Sequence, residues 1–251
     1  MKLSFKKRLL GVVAAAGLSA SAHALPVALE LALVIDVSGS ISAAEYNLQR
    51  QGYVNAFSSG AIQSSILSFA PSGGVAIGVF QFATNAAQVI NWTLIDDAAD
   101  LTAFIASLNA MARSGAIGGS TDISDGMSIA RTGLGSNGYE GARLVMDVSG
   151  DGEDSQGGVA GVIAERNAAQ VAGIVINGLP IGSVSLATYY LNNVVTTTGF
   201  VEAAANFTDF NDAVTRKIGR EIIGDNPVPV PGLAWLLGVG LLGFGLNQKR
   251  K

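Results

Sequence analysis

The sequence contains no cysteine and only one histidine, His23. Without thiols the chain can form neither disulfide bonds nor zinc–thiolate sites, and it has no thiol nucleophile. His23 lies inside a predicted export signal, so the mature protein would have no imidazole for a catalytic triad, a general base or a metal site. These absences direct the chemistry of the folded part toward oxygen ligands.

Charged residues are also scarce, at 14% of the 251 residues, and the basic ones are unevenly placed. Seven of the 15 basic residues lie in the first eight and the last three positions, which leaves eight against 19 acidic residues in between. A surface with this excess of negative charge repels phosphate backbones, so we expect no nucleic-acid partner. The same excess favours cations.

Residues 1–24 have the three parts of a secretory signal peptide. A basic start precedes a short apolar run over residues 9–18, and Ala22-His23-Ala24 matches an A-x-A cleavage site. The sequence therefore predicts an exported protein whose mature chain begins at Leu25.

Residues 225–251 combine alternating prolines (Pro227, Pro229, Pro231), an apolar stretch over residues 233–246 and a basic end. This tail resembles the PEP-CTERM sorting signals of Gram-negative bacteria and their Val-Pro-x-Pro variants, although the glutamate of the common Pro-Glu-Pro form is absent. The resemblance implies an exosortase-type processing enzyme and a location in the periplasm, at the outer surface or in the envelope. The alternative is a plain membrane anchor, although the apolar stretch is shorter than the about 20 residues that a relaxed membrane-spanning helix needs.

Residues 25–224 read as one domain in which strands and helices alternate. This order predicts an α/β fold with a doubly wound, mostly parallel central sheet and helices on both faces, as in Rossmann-like proteins. We expect strands at residues 29–35, 75–82, 88–94, 142–148, 173–176 and near 200–204, with the second and third forming a hairpin, and helices at 42–67, 96–111, 122–132, 158–172, near 185–191 and 209–222.

Three polar loops follow these elements at positions that a parallel sheet would bring to one edge. The first places Asp36, Ser38 and Ser40 directly after a buried strand, where their oxygens suit a hard divalent cation. The other two loops contain Thr121, at the start of a helix, and Asp151, after a later strand. Helix capping, with Ser40 or Ser42 as the cap and Glu45 completing a capping box, is the alternative interpretation of the first loop.

The three loops in this order resemble the metal-ion-dependent adhesion site of von Willebrand factor type A (VWA) domains. The resemblance implies that Asp36, Ser38, Ser40, Thr121 and Asp151 bind a divalent cation, Mg²⁺ first and Ca²⁺ or Mn²⁺ otherwise. It also implies that a carboxylate of a partner completes the coordination.

Other polar residues near these loops have simpler interpretations. We expect Asp147, within a strand, to be buried and hydrogen-bonded, Asp122 to lie in the first turn of a helix, and Glu153 and Asp154 to face solvent. Four tyrosines are expected to pack in the core or at its rim, namely Tyr46, Tyr139, Tyr189 and Tyr190.

The sequence favours an adhesion-type binding module at the cell envelope, not an enzyme. The alternatives are a structural component of an exopolysaccharide-associated envelope layer and, less favoured, a metal-assisted phosphohydrolase. The phosphohydrolase is disfavoured because it lacks an obvious phosphate-binding lysine: Lys217 is the only lysine between Lys7 and Lys249.

Overall fold

The computed structural model describes residues 24–115 and 118–224. Its strands are β1 (Leu25–Val27), β2 (Leu29–Asp36), β3 (Val75–Phe82), β4 (Ala86–Ile95), β5 (Tyr139–Gly141), β6 (Leu144–Gly150) and β7 (Ile174–Pro180). Its α-helices are α1 (Ala43–Ser58), α2 (Gly60–Leu67), α3 (Ala98–Ala110), α4 (Ile123–Leu134), α5 (Gly158–Val171), α6 (Val184–Tyr189) and α7 (Phe210–Ile223).

Five strands form the central sheet in the order β4-β3-β2-β6-β7. All neighbouring pairs are parallel except the β3–β4 hairpin, which is antiparallel. The predicted fold class and the predicted hairpin are therefore confirmed.

The sheet is buried on both faces, which explains the continuous apolar runs of its central strands. Every residue of β2 and β3 is buried. One face packs against α1, α2, α3 and α7, and the other against α4, α5 and α6. Because connections between parallel strands must cross over the sheet, the carboxyl ends of β2 and β6 open at the same edge, with loops that are free to carry function.

The single helix expected over residues 42–67 is instead two helices, α1 and α2, and that prediction was wrong. Ser59 separates them in an extended conformation (φ −65°, ψ 127°), directly before Gly60. Two residues with low helix propensity at this point, Ser59 and Gly60, account for the break. At the other end of α1, Ser42 and Glu45 form the capping box of the alternative interpretation, with Ser42 and not Ser40 as the cap.

The strand expected near residues 200–204 is reduced to two isolated parallel bridges, which pair Val201 with Gly178 and Ala204 with Ile181. A side chain replaces part of the regular ladder, because the Phe200 N–H donates to the Asn177 Oδ1 at 3.1 Å. The segment still covers the β7 edge of the sheet.

Two short strands that the sequence did not suggest, β1 and β5, pair in parallel as a separate small sheet. Leu25 N–H donates to the Gly138 carbonyl, and Ala28 N–H donates to the carbonyl of Gly74 just before β3. The described chain therefore starts at the amino edge of the central sheet. It also ends there, because the Arg143 guanidinium, just before β6, donates to the Glu221 and Ile222 carbonyls at the end of α7.

Within residues 24–115 and 118–224, no helix has both the length and the apolar character to cross a membrane. The predicted signal peptide, apart from its last residue Ala24, and the predicted sorting tail at residues 225–251 lie outside the described residues.

Candidate metal centre

The first predicted loop begins where β2 ends, at the carboxyl edge of the sheet. Asp36 is the last residue of that strand, and its Oδ1 accepts the backbone N–H of Ser38 at 2.7 Å. The turn brings the Ser38 and Ser40 hydroxyl oxygens to 3.1 Å from each other. Three oxygen-bearing side chains thus converge within five residues.

Contacts between loops bring in the rest of the predicted site. The Ser40 hydroxyl donates to Asp151 Oδ1 at 2.7 Å, which joins the loop after β2 to the loop after β6. Gly39 N–H donates to the Gly119 carbonyl at 2.7 Å, which joins the first loop to the glycine-rich second loop.

Thr121, at the end of that second loop, lies beside the third. A Cβ built on Gly152 would be 3.5 Å from the Thr121 hydroxyl oxygen, so this hydroxyl lies next to the residue that follows Asp151. Ser155 holds the Thr121 backbone in place by donating its N–H to the Thr121 carbonyl at 2.8 Å. The structure therefore gathers all five predicted residues at one edge.

The carboxyl group of Asp36 is the most unusual group of this cluster. It is fully buried, and among the described residues its Oδ2 has no hydrogen-bond partner. Burial, and secondarily the negative charge of Asp151, raise the pKa of Asp36 from 3.8 to about 7.

The unpartnered oxygen faces a second buried polar group that also lacks a described partner. A Cβ on Gly150 would lie 2.7 Å from Asp36 Oδ2 and 2.8 Å from the Tyr190 hydroxyl oxygen, so both atoms lie against this bare glycine. A buried carboxylate without counter-charge is costly, and a cation beside it would supply that charge. The donor set, made only of carboxylate and hydroxyl oxygens, fits a hard divalent ion.

Residues 26–226 match the model of a family described as "Protein of unknown function (DUF1194)". The chain belongs to this DUF1194 family. A comparison with curated protein sequences gives no match.

Solved structures similar to this DUF1194 chain include several VWA proteins. Proximal thread matrix protein 1 from the mussel byssus is 18% identical, with a TM-score of 0.60 over 80% of this chain and 47% of that protein. The pilus adhesin SpaC from Lactobacillus rhamnosus GG is 14% identical, with a TM-score of 0.57 over 78% of this chain and 30% of SpaC.

A von Willebrand factor type A protein from Catenulispora acidiphila is 12% identical, with a TM-score of 0.55 over 78% of this chain and 43% of that protein. The DUF1194 chain thus spans about half or less of the length of these three proteins. At such identities the likeness establishes the fold, which is that of VWA domains.

Two further acidic residues near the loops of this DUF1194 member, Asp122 and Asp154, hold the loops together. Asp122, which we expected in the first turn of α4, is instead the N-cap of that helix, where its Oδ1 accepts the Asp125 N–H at 2.9 Å and the Ser124 hydroxyl at 2.6 Å. Glu153 is exposed, as expected. The expectation that Asp154 faces solvent was wrong, because its carboxylate folds back and accepts backbone N–H groups at the starts of α4 and α5, including those of Ser124 and Gly158.

Arg113 is a residue that the sequence reasoning treated only as the start of a loop. Its guanidinium donates to the carbonyls of Val37 (2.7 Å), Ser38 (2.7 Å) and Ile41 (2.7 Å), which are the backbone of the first loop. These contacts join residues that are more than 70 positions apart, so no local pattern reveals them. Arg113 therefore fixes the shape of the loop that carries Ser38 and Ser40.

Polar side chains also extend from this edge into the core, on the face of β6 that packs against α1 and α7. The hydroxyl oxygens of Ser149 and Tyr53, from α1, are 3.1 Å apart. Asp147 is fully buried, as expected, but the expected hydrogen bonds to its carboxylate are absent among the described residues. Its contact is instead an ion pair with the Lys217 ammonium from α7, whose Nζ lies 2.8 Å from Oδ1. The tyrosines also follow expectation, since Tyr46, Tyr189 and Tyr190 are buried and Tyr139 is half-buried on β5.

Proposed function

We propose that this DUF1194 protein is an exported, adhesion-type binding module that holds a divalent cation at the edge formed by the loops after β2 and β6. The observation that carries the proposal is the buried Asp36 carboxyl, whose Oδ2 is unpartnered among the described residues beside four further oxygen-bearing side chains. Mg²⁺ is our first choice for the cation, with Ca²⁺ and Mn²⁺ as alternatives.

The five side chains of this site would play two different parts in holding the cation. The hydroxyls of Ser38, Ser40 and Thr121 are neutral ligands, while Asp36 and Asp151 supply the negative charge. Two carboxylates and three hydroxyls leave a divalent cation short of its usual six or more oxygen ligands, so it can accept another from outside. When bound, the cation would supply an electrophilic centre for a carboxylate of a partner protein or other ligand.

Two kinds of observation support the placement at the cell envelope. The sequence begins with a predicted signal peptide and ends with a predicted sorting tail. Among the solved structures with this fold, one is named a pilus adhesin and another a thread matrix protein, and one mussel structure is described with zinc in its MIDAS motif. A binding role for this chain is consistent with these relatives.

Calorimetric titration of the purified protein with Mg²⁺, Ca²⁺ and Mn²⁺ tests the proposal. We expect one saturable site in the wild type, about tenfold or more weaker in Thr121→Ala, because the variant removes one oxygen ligand. Thr121→Ser is the matched control, since it keeps the hydroxyl and should bind nearly as the wild type does. A wild type that binds none of the three ions would refute the proposal.

Arg113 gives a second prediction about the same site. Arg113→Ala leaves the buried carbonyls of the first loop without their donors, so we expect metal affinity to fall by about tenfold although Arg113 is no ligand. Arg131→Ala, which removes a partly exposed ion pair with Glu165, should leave affinity unchanged. Equal metal affinity in Arg113→Ala and the wild type would show that the loop holds its shape without the guanidinium.

A further inference from the structure

Three ionisable side chains meet in the core below the metal edge, where the proposed function gives them no role. Lys217 and Asp147 are fully buried, and Glu221 is 1% exposed. The Lys217 Nζ lies 2.8 Å from Asp147 Oδ1 and 2.5 Å from Glu221 Oε1. An amine, a carboxyl group and a second carboxyl group are therefore held in mutual contact, away from bulk water.

This cluster is a poor environment for fixed charges. Neither oxygen of Asp147 accepts a hydrogen bond of good geometry from the described residues, and the same is true of Glu221 Oε2. Buried carboxylates are normally surrounded by donors, and a buried ion pair recovers its desolvation cost only when such additional hydrogen bonds are present. Burial, and then the charge of Asp147, raise the pKa of Glu221 to about 8, so this carboxyl is protonated at neutral pH.

The contact also brings reactive atoms together. The carboxyl carbon of Asp147 is one bond beyond the oxygen that lies 2.8 Å from the Lys217 Nζ. Groups held at about 3–3.5 Å in a suitable orientation react as if one were present at an effective concentration of about 10⁵–10⁸ M. Condensation of the two would also replace a buried ion pair by a neutral amide.

We propose that Lys217 and Asp147 condense to an intramolecular amide that links α7 covalently to β6, with Glu221 as the acid–base group. The Lys217 ammonium transfers one proton to the Asp147 carboxylate, and the free amine then attacks Cγ to form the C–N bond. The Glu221 carboxyl protonates the departing oxygen and takes back a proton from the nitrogen as the C–O bond breaks. The products are the amide and one water molecule, and no oxidant or reductant takes part.

A space that could receive this water lies beside Glu221. A cavity of about 640 Å³ lies at the amino edge of β6 and β7, and Glu221 and Asn177 are among its lining residues. Asn177 Nδ2 donates to Glu221 Oε1 at 3.0 Å, and the Lys217 Nζ donates to the same oxygen, so the orientation of the carboxyl group is fixed from two sides. Departure of water into this space would draw the condensation toward the amide.

Mass spectrometry of the folded, full-length protein, denatured and then digested with trypsin, tests the linkage. A linked chain gives a branched peptide that joins residues 144–166 to residues 217–220, lighter by one water than the two peptides together. Trypsin would not cleave after Lys217, because its amine is acylated. Separate peptides with free Lys217 and no branched peptide would overturn the proposal, and this wild-type result depends on no variant.

Two variants test the chemistry. Glu221→Gln keeps the size and an acceptor for Asn177 but cannot exchange protons, so we expect a folded protein, by circular dichroism, that has lost the branched peptide. Lys217→Arg keeps a cation and must also lack the peptide. A branched peptide in Glu221→Gln at the wild-type yield would overturn the role of Glu221. The outcome is independent of metal binding, so it does not depend on the proposed function.

Discussion

Replacing Lys217 with methionine is expected to lower the free energy of unfolding by about 3–5 kcal/mol, because the buried Asp147 carboxylate is then left without the Lys217 ammonium or, in a linked chain, without the proposed amide. Asp147 and Glu221 are both within 2.8 Å of the Lys217 Nζ, and none of the three side chains reaches bulk solvent. Methionine fills a similar volume without charge, so the loss comes from electrostatics and not from a cavity. Loss of the proposed amide would act in the same direction.

Urea unfolding followed by circular dichroism measures this effect. The double variant Lys217→Met/Asp147→Leu should recover part of the loss, since an apolar pair replaces the unpaired charge. Arg216→Ala is the neighbouring control: its ion pair with Glu202 is largely exposed on the arginine side, and its removal should cost at most about 1 kcal/mol. If the free energy of unfolding of Lys217→Met lies within about 1 kcal/mol of the wild-type value, the buried carboxyl groups do not need Lys217 for stability.

Asp36→Asn is expected to have opposite effects with and without metal. Without metal, the variant should be more stable than the wild type at about pH 8. The pKa of Asp36 is raised from 3.8 to about 7, so the fold loses stability as pH rises to that value, and asparagine avoids this loss. With Mg²⁺ present, the variant should bind about 100-fold or more weakly, because a carboxylate of the site is gone.

Thermal unfolding with and without saturating Mg²⁺ separates the two effects. We expect Mg²⁺ to raise the Tm of the wild type but not that of the variant, and we expect the metal-free variant to have a higher Tm than the metal-free wild type. Glu140→Gln removes the same charge from an exposed position on β5, at the opposite edge of the sheet, and should change neither quantity. An Asp36→Asn protein that Mg²⁺ still stabilises would show that the cation binds elsewhere.

Much of the fold could be predicted because the signals are local. The apolar run that became β2, the glycine-rich turns and the alternation of strands with helices are enough to predict a parallel sheet with functional loops at its carboxyl edge. The break at Ser59 was missed because the residues on either side continue one amphipathic pattern. The pairing of β1 with β5 was missed because three-residue strands have no periodicity to detect.

The residues of the candidate site also fall into those that local sequence patterns could predict and those that they could not. The first loop could be found from Asp36, Ser38 and Ser40, since their spacing after a strand is visible in the sequence. The roles of Arg113 and Lys217 could not, because each depends on a tertiary contact with a residue about 70 positions away. In the sequence Lys217 stood out only as the one lysine between Lys7 and Lys249, whereas the structure buries it against Asp147.

The two ends of the described chain lie at the edge of the sheet opposite the metal loops. The Leu25 N–H donates a hydrogen bond to the Gly138 carbonyl, and Gly224 packs against the Arg143 guanidinium. The eight residues of β2 span about 26 Å, which is the approximate distance from this edge of the sheet to Asp36. A force between a ligand at the cation and an attachment at either end would therefore run along the parallel strands. If the proposed site holds a ligand, such a force would load the hydrogen bonds between the strands in shear, a direction in which many bonds share the load.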